Sequence, residues 1–137
     1  MILYNELKKQ VLEHIGENKD LMIEYNDYVA DHPEVSGMEY ETSKHIVSLL
    51  ENQGYACEYP IEDIPNSFRA IYGKNNHKYK VAVLTEYDAL PEIGHGCGHC
   101  LSGAISMLAA LSMRQIQDLL DVDIHIVGTP DEESEGQ

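Results

Sequence analysis

Residues 80–100 read KVAVLTEYDALPEIGHGCGHC, and residues 122–133 read VDIHIVGTPDEE. Lys80 to Glu86, around VAVLTE, is a short apolar run rich in β-branched residues and bounded by turn formers, which predicts a strand. A Gly- and Pro-rich loop follows, DALPEIGHGCG. From about His99 to Gln117, Leu101, Ala104, Ile105, Leu108, Ala109 and Ser112 predict a buried helix. Val122 to Val127 is a second strand. Strand, helix, strand in this order is a βαβ unit, whose strands run parallel and are joined by a right-handed crossover. The loops after the two strands then leave the same carboxyl edge, where open α/β sheets place their ligands. Asp88 to His99 and Thr129 to Glu135 are therefore expected to meet in space.

Upstream the pattern is helical, then extended. Leu3, Leu7 and Val11, followed by Leu21, Met22, Tyr25 and Val29, predict one broken or two consecutive helices ending at Pro33. Ser36-Gly-Met-Glu39 has the spacing of a capping box. It would open a helix with Tyr40, Ser43, Ile46, Val47 and Leu50 on its buried stripe and Gly54 just past its end. This first third carries no evident chemistry. Tyr55 to Tyr59 and Phe68 to Tyr72 read as further strands.

The chain has 137 residues, enough for one domain or part of one. Its formal charge of −15 repels nucleic acid and anionic membranes, which sets both aside as partners. The N-terminal stretch is charged rather than signal-like, and no run approaches transmembrane length. The three cysteines, Cys57, Cys97 and Cys100, are odd in number and unevenly placed, which argues against a disulfide scaffold and for a reducing cytoplasm.

The chemistry concentrates in the two loops. His95-Gly-Cys97-Gly-His99-Cys100 offers imidazole nitrogen and thiolate sulfur, the donors that zinc and its neighbours prefer. Asp131, Glu132, Glu133 and Glu135 crowd four carboxylates into five residues, a repulsion that a multivalent cation offsets. An acidic run is ordinarily a solvated surface loop; here it follows a buried strand at the sheet's ligand edge. Of two neighbouring glutamates, one can bind metal while the other takes a proton from the attacking water and returns it to the leaving amine.

The combination EYDALPEIGHGCGHC, a helix, then a strand into GTPDEE resembles the amidohydrolase branch of the zinc carboxypeptidase and aminoacylase family. It is most similar to the p-aminobenzoyl-glutamate hydrolase and Xaa-Arg or β-alanyl dipeptidase subgroup. The likeness extends to the HPEVSGMEYETS segment. It implies an α/β fold, a three-layer mixed sheet with flanking helices, forming the N-terminal part of a metallopeptidase-like catalytic domain. It further implies hydrolysis of amide bonds in N-acyl amino acids or dipeptides, supported by zinc as one ion or two, with manganese or cobalt as alternatives. Position by position, the resemblance makes Cys97, His99 and Glu133 metal ligands, Glu132 the general base, and Asp88 a residue that orients a ligand or loop. His95 is expected to play a hydrogen-bonded structural role, and Thr129 and Pro130 to shape the turn.

Departures from the family pattern accompany the likeness. Cys100 stands where Asp or Asn is usual, leaving the following helix less well capped. Asp131 replaces a small residue, and Gly136-Gln137 falls where a glycine-rich turn ending in lysine is usual. Residues 1–137 are expected to form a partial catalytic domain without the lid and dimerisation domain or the C-terminal catalytic segment, which supply further ligands in the homodimeric relatives. Weak metal binding, little catalysis alone, a complementing chain, and an exposed sheet edge prone to association are the corresponding expectations. Two rival readings stand beside this one. Cys97-Gly-His-Cys100 is also the dithiol motif of thioredoxin-like oxidoreductases, with a thiol activated at a helix start. The other rival is a non-catalytic remnant.

Overall fold

The computed structural model describes residues 2–134; the expectations for Glu135, Gly136 and Gln137 lie outside the described residues. Its centre is the predicted parallel pair. β3 (Tyr79–Thr85) and β4 (Val122–Gly128) are in register from Tyr79 opposite Val122 to Thr85 opposite Gly128. Between them run α3 (His99–Ser112), a single 3₁₀ turn (Arg114–Ile116) and the short α4 (Gln117–Leu120). β1 (Tyr55–Glu58) and β2 (Phe68–Tyr72) pair antiparallel, and β2 lies antiparallel beside β4, giving the sheet order β1-β2-β4-β3. The result is the expected mixed α/β sheet flanked by helices.

The pleat sorts the side chains onto two faces. Phe68, Ala70, Ile124 and Ile126 point to one face, where they form a continuous core with Met22, Tyr25 and Val29 of α1 (Ile2–Asp31), Ile46, Val47 and Leu50 of α2 (Tyr40–Asn52), and Ala104, Met107 and Leu111 of α3. Each Val, Leu, Ile, Met or Phe among them contributes about 1.5–3 kcal/mol by leaving water. Alternate residues of β3 turn to the opposite face, where Ala82 and Leu84 stand exposed. β3 is also a sheet edge.

Three details of the first third differ from the sequence reading, the first being Tyr40, expected on the buried stripe of α2 but 48% exposed in its first turn. α1 is one unbroken helix of 30 residues. It stops before Pro33, with the His32 ring nitrogen 2.7 Å from the Tyr28 carbonyl in the last turn. Ser36 and Glu39 do not form a capping box. Glu39 is the N-cap residue of α2 but makes no side-chain cap bond. Instead, the Glu34 carboxylate accepts the Glu41 and Thr42 amides at 3.1 and 2.6 Å. The side chains of Ser36 and Glu39 are engaged elsewhere, at the carboxyl edge of the sheet.

Gly128 ends β4 at a point of close approach. A Cβ there would lie 2.1 Å from the Phe68 ring, so only glycine allows this buried aromatic to cover the strand end. Phe68 in turn stacks on Tyr87 with ring centroids 6.0 Å apart. The Tyr87 hydroxyl donates to the Asn66 carbonyl, which ties the loop after β3 to the chain before β2.

Candidate metal centre

Because β3 and β4 end side by side, the loops that follow them start together. The Thr129 amide donates to the Thr85 carbonyl at 2.9 Å, and the Thr129 hydroxyl reaches the same oxygen at 3.3 Å. Thr129 thus shapes the turn, as expected. On the β3 side the chain passes Glu86 and Asp88 and forms a 3₁₀ turn at His95–Cys97. At Gly98 it enters the left-handed region, with φ of 87°, before α3 begins at His99. α3 has no side-chain cap, consistent with the cysteine at position 100.

One donor atom each from Cys97, His99 and Glu133 lies within 4.8 Å of the others. A second such set is Glu86, His99 and Glu132. The structure therefore brings Cys97, His99, Glu132 and Glu133 together, with Asp88 on the same imidazole, and adds Glu86. The sequence reading makes that glutamate the last residue of the strand. Its signal is positional: it is the first side chain past the strand's carboxyl end.

His99 is the pivot. Its Nδ1 lies 2.8 Å from Asp88 Oδ1 and 3.0 Å from the Asp88 carbonyl, so a proton on Nδ1 is held there. Nε2 then faces carboxylates: Glu86 at 3.0 Å, Glu132 at 3.4 Å and Glu133 at 3.6 Å. Burial alone would lower the pKa of His99, but Asp88 and Glu86 outweigh it and hold the ring above its ordinary value. Even a fully charged imidazolium offsets only one of these negative charges. A divalent cation fits this donor set of one thiol, one imidazole and several carboxylates.

Asp88 is fully buried. Burial would raise its pKa, yet the Glu133 amide, the Ser36 hydroxyl and His99 together keep it below the usual carboxylate value. Its Oδ2 accepts both from Ser36 and from the Glu133 amide, each at 2.7 Å. One carboxylate thus joins three distant segments. Glu39 does something similar: its Oε1 accepts the Asp131 amide at 2.8 Å. Burial raises the Glu39 carboxyl above its ordinary value, against the lowering pull of the Asp131, Glu39 and Gly37 amides. The segment around Ser36 to Glu39, which shows no chemistry in the sequence alone, buttresses the whole turn.

His95 departs from its expected role. Neither ring nitrogen has a hydrogen-bond partner among the described residues, although both are buried. Burial and nearby His99 hold its pKa below the ordinary histidine value. The dithiol reading gains no support. Cys97 is gathered with His99 and Glu133 in a set of metal donors, and Cys100 is buried in the core. No described helix is long and apolar enough to cross a membrane.

Residues 82–137 match the model of peptidase family M20/M25/M40. One of the subunits of p-aminobenzoyl-glutamate hydrolase from Escherichia coli is 30% identical over an alignment covering 80% of this chain and 26% of that protein. The Xaa-Arg dipeptidase of Mus musculus is 28% identical, over 95% of this chain and 33% of the dipeptidase. The chain thus spans between a quarter and a third of the length of these curated relatives. Among solved structures, the Bacillus subtilis protein YXEP, described as a dinuclear metal-binding peptidase of the M20 family, superposes with a TM-score of 0.72 at 23% identity, over 83% of this chain and 36% of that one.

Proposed function

From the premise that this chain is a relative of peptidase family M20/M25/M40, we propose that it supplies two converging loops of a metal-dependent amide hydrolase centre. The observation that carries the reading is the approach of Cys97, His99 and Glu133 donor atoms to within 4.8 Å, with Glu86 and Glu132 gathered about the same imidazole. Zinc is the metal that best suits a thiolate and imidazole, with manganese or cobalt as alternatives and room in the donor set for a pair of ions. Cys97, His99 and Glu133 would hold such an ion, which would supply Lewis acidity toward the scissile carbonyl and toward water, whose pKa falls to about 7 in well-studied zinc sites.

The chain's own residues then divide the work. Asp88 fixes the His99 ring by holding its Nδ1–H, which leaves Nε2 free as a donor. Cys97 and Glu133 close the donor set. Glu132, 47% exposed at its side chain, is the carboxylate most open to an incoming molecule. It accepts a proton from the water whose oxygen bonds to the carbonyl carbon. It returns that proton to the nitrogen as the carbon–nitrogen bond breaks, yielding an acid and an amine. N-acyl amino acids and dipeptides are the substrate class that this reading assigns, drawing on the names of the relatives. Remaining ligands and most of the substrate pocket are assigned to chain beyond these loops or to a partner chain. A thiolate ligand also calls for reducing surroundings, so the reading places the protein in the cytoplasm.

Cobalt(II) titration followed by absorption tests the metal set. A sulfur-to-cobalt charge-transfer band is expected, and Cys97→Ser should abolish it while Cys100→Ser leaves it intact. Absence of the band, or its persistence in Cys97→Ser, overturns the assignment. With zinc, cobalt or manganese and a panel of N-acyl amino acids and dipeptides, any turnover should fall about 10²–10⁴-fold in Glu132→Gln, the usual contribution of a general base.

A further inference from the structure

The Glu39 carboxyl is 0% exposed, the least comfortable place for an ionisable group. Its Oε2 has no hydrogen-bond partner among the described residues. Nor is the group needed to cap α2, because Glu34 already accepts the Glu41 and Thr42 amides. Among the described residues, its one side-chain hydrogen bond of good geometry goes to the Asp131 amide, 92 residues away in sequence. A buried carboxyl whose hydrogen bond reaches so far along the chain is expected to serve something beyond its own helix.

What it serves is visible in the turn. Asp131 has a φ of 62°, in the left-handed region that side chains other than glycine, asparagine and aspartate seldom adopt. Pro130, just before it, has no amide to anchor. The Asp131 amide is held by Glu39 and the Glu133 amide by Asp88, so Glu132 lies between two backbone groups pinned to two buried carboxylates. Asp88 and Glu39 come from different elements, one after β3 and one at the start of α2. Gly37 lies against the same turn: a Cβ there would meet Asp131 Oδ1 at 3.7 Å.

We infer that Glu39 is a positioning residue. Acting through the Asp131 amide, it sets where the Glu132 carboxylate stands relative to His99, as Asp88 sets Glu133. The role of Glu132 rests on the hydrolase reading above; the clamp itself does not. Glu39 touches neither water nor substrate in this role. It fixes the backbone conformation from which Glu132 projects.

The test uses the full chain and site-resolved amide hydrogen exchange by NMR, with cobalt(II) titration on the same samples. In the unaltered chain, a scalar coupling through the hydrogen bond should link the Asp131 nitrogen to the Glu39 carboxyl carbon. Glu39→Leu, which keeps the volume and removes the acceptor, should speed Asp131 exchange at least tenfold while Glu133 stays protected. Glu39→Gln retains an acceptor oxygen and should restore most of the protection. Where cobalt binds, Glu39→Leu should alter its visible spectrum and Glu39→Gln should not. Where turnover is measurable, Glu39→Leu should lower kcat with little change in KM. An unprotected Asp131 amide without coupling in the unaltered chain overturns the inference, whether or not the leucine variant folds. So does equal acceleration at Asp131 and Glu133, which would mark a general loosening. Failure of the unaltered chain to bind cobalt would count against the hydrolase reading alone, since the exchange arm still decides the clamp.

Discussion

Asp88 and His99 are joined twice, through the aspartate's carboxylate at 2.8 Å and its backbone carbonyl at 3.0 Å, both meeting the same ring nitrogen. The carboxylate has donors on both oxygens: His99 on Oδ1, and Ser36 with the Glu133 amide on Oδ2. Asparagine offers one acceptor and one donor, so whichever way it turns, its NH₂ meets a donor. Asp88→Asn should therefore cost about 1–3 kcal/mol of stability, the range for buried groups left unsatisfied. A urea melt of the two proteins measures it. The loosened imidazole should also weaken cobalt binding by about 10–100-fold, as loss of a residue orienting a metal ligand usually does. An asparagine variant as stable as the parent would show that Asp88 does not hold these segments together.

Gly128 poses a sharper steric test. A methyl group there would lie 2.1 and 2.3 Å from two Phe68 ring carbons. Both residues are buried, and Phe68 is held by Tyr87 above it, so the ring cannot simply swing away. Gly128→Ala should destabilise the protein by about 1–3 kcal/mol or more, the usual cost of overpacking. Adding Phe68→Leu should recover part of that loss. Additive losses in a double-mutant cycle would contradict the proposed clash.

The βαβ unit is legible in the sequence because its signals are local. VAVLTE and VDIHIV each announce a strand, the small and aliphatic residues of α3 announce the crossover, and parallel strands oblige their following loops to share an edge. That basis picks out the two donor-bearing loops, and the family resemblance narrows them to Cys97, His99, Glu132 and Glu133. Ser36, Glu39 and Glu34 cannot. Their partners lie 52 residues away at Asp88, 92 away at Asp131, and on α2, and no periodicity encodes such pairings. The spacing of Ser36 and Glu39 even imitates a capping box, a local explanation that the tertiary contacts override. His95 misleads for a related reason: a motif position indicates that a ring is wanted there, and does not say which atoms will face it.

The outer edge of the sheet predicts how the chain behaves in solution. Among the described residues β3 has a neighbour on one side only, and Val81 and Leu84 are 48% and 57% exposed. Unpaired backbone groups beside exposed aliphatic side chains form a template for pairing with another strand. Self-association that grows with concentration is the expected outcome in sedimentation velocity, despite a formal charge of −15. Leu84→Lys places a charge on the open face and should shift the distribution toward monomer without changing the thermal melt. If the parent sediments as a monomer at every concentration, the edge is not adhesive.

At the opposite end of the same strand, pH should act on stability through His77. Its ring bridges Asp118 at 2.8 Å and Asp123 at 2.6 Å, and Lys80 also pairs with Asp123. Asp123 is covered by these partners, which hold its carboxyl down at about 2 against the opposing effect of burial. Its stabilisation is therefore present above the ordinary aspartate value of about 3.9 and is lost as pH falls toward 2. His77 carries the opposite sign. Hydrogen bonding to Asp123 raises its pKa, so the folded state binds the proton more tightly than the unfolded chain does. That stabilisation is complete below the ordinary histidine value of about 6.5 and disappears as pH rises through the elevated folded value. Other histidines titrate nearby in pH, some with the reverse sign, so the comparison has to be differential. Urea midpoints of the parent and of His77→Gln, measured from pH 5 to 9, should converge as pH rises, with the parent's advantage greatest at the acid end. A constant gap would mean that His77 contributes through packing and neutral hydrogen bonds, with no part played by its charge.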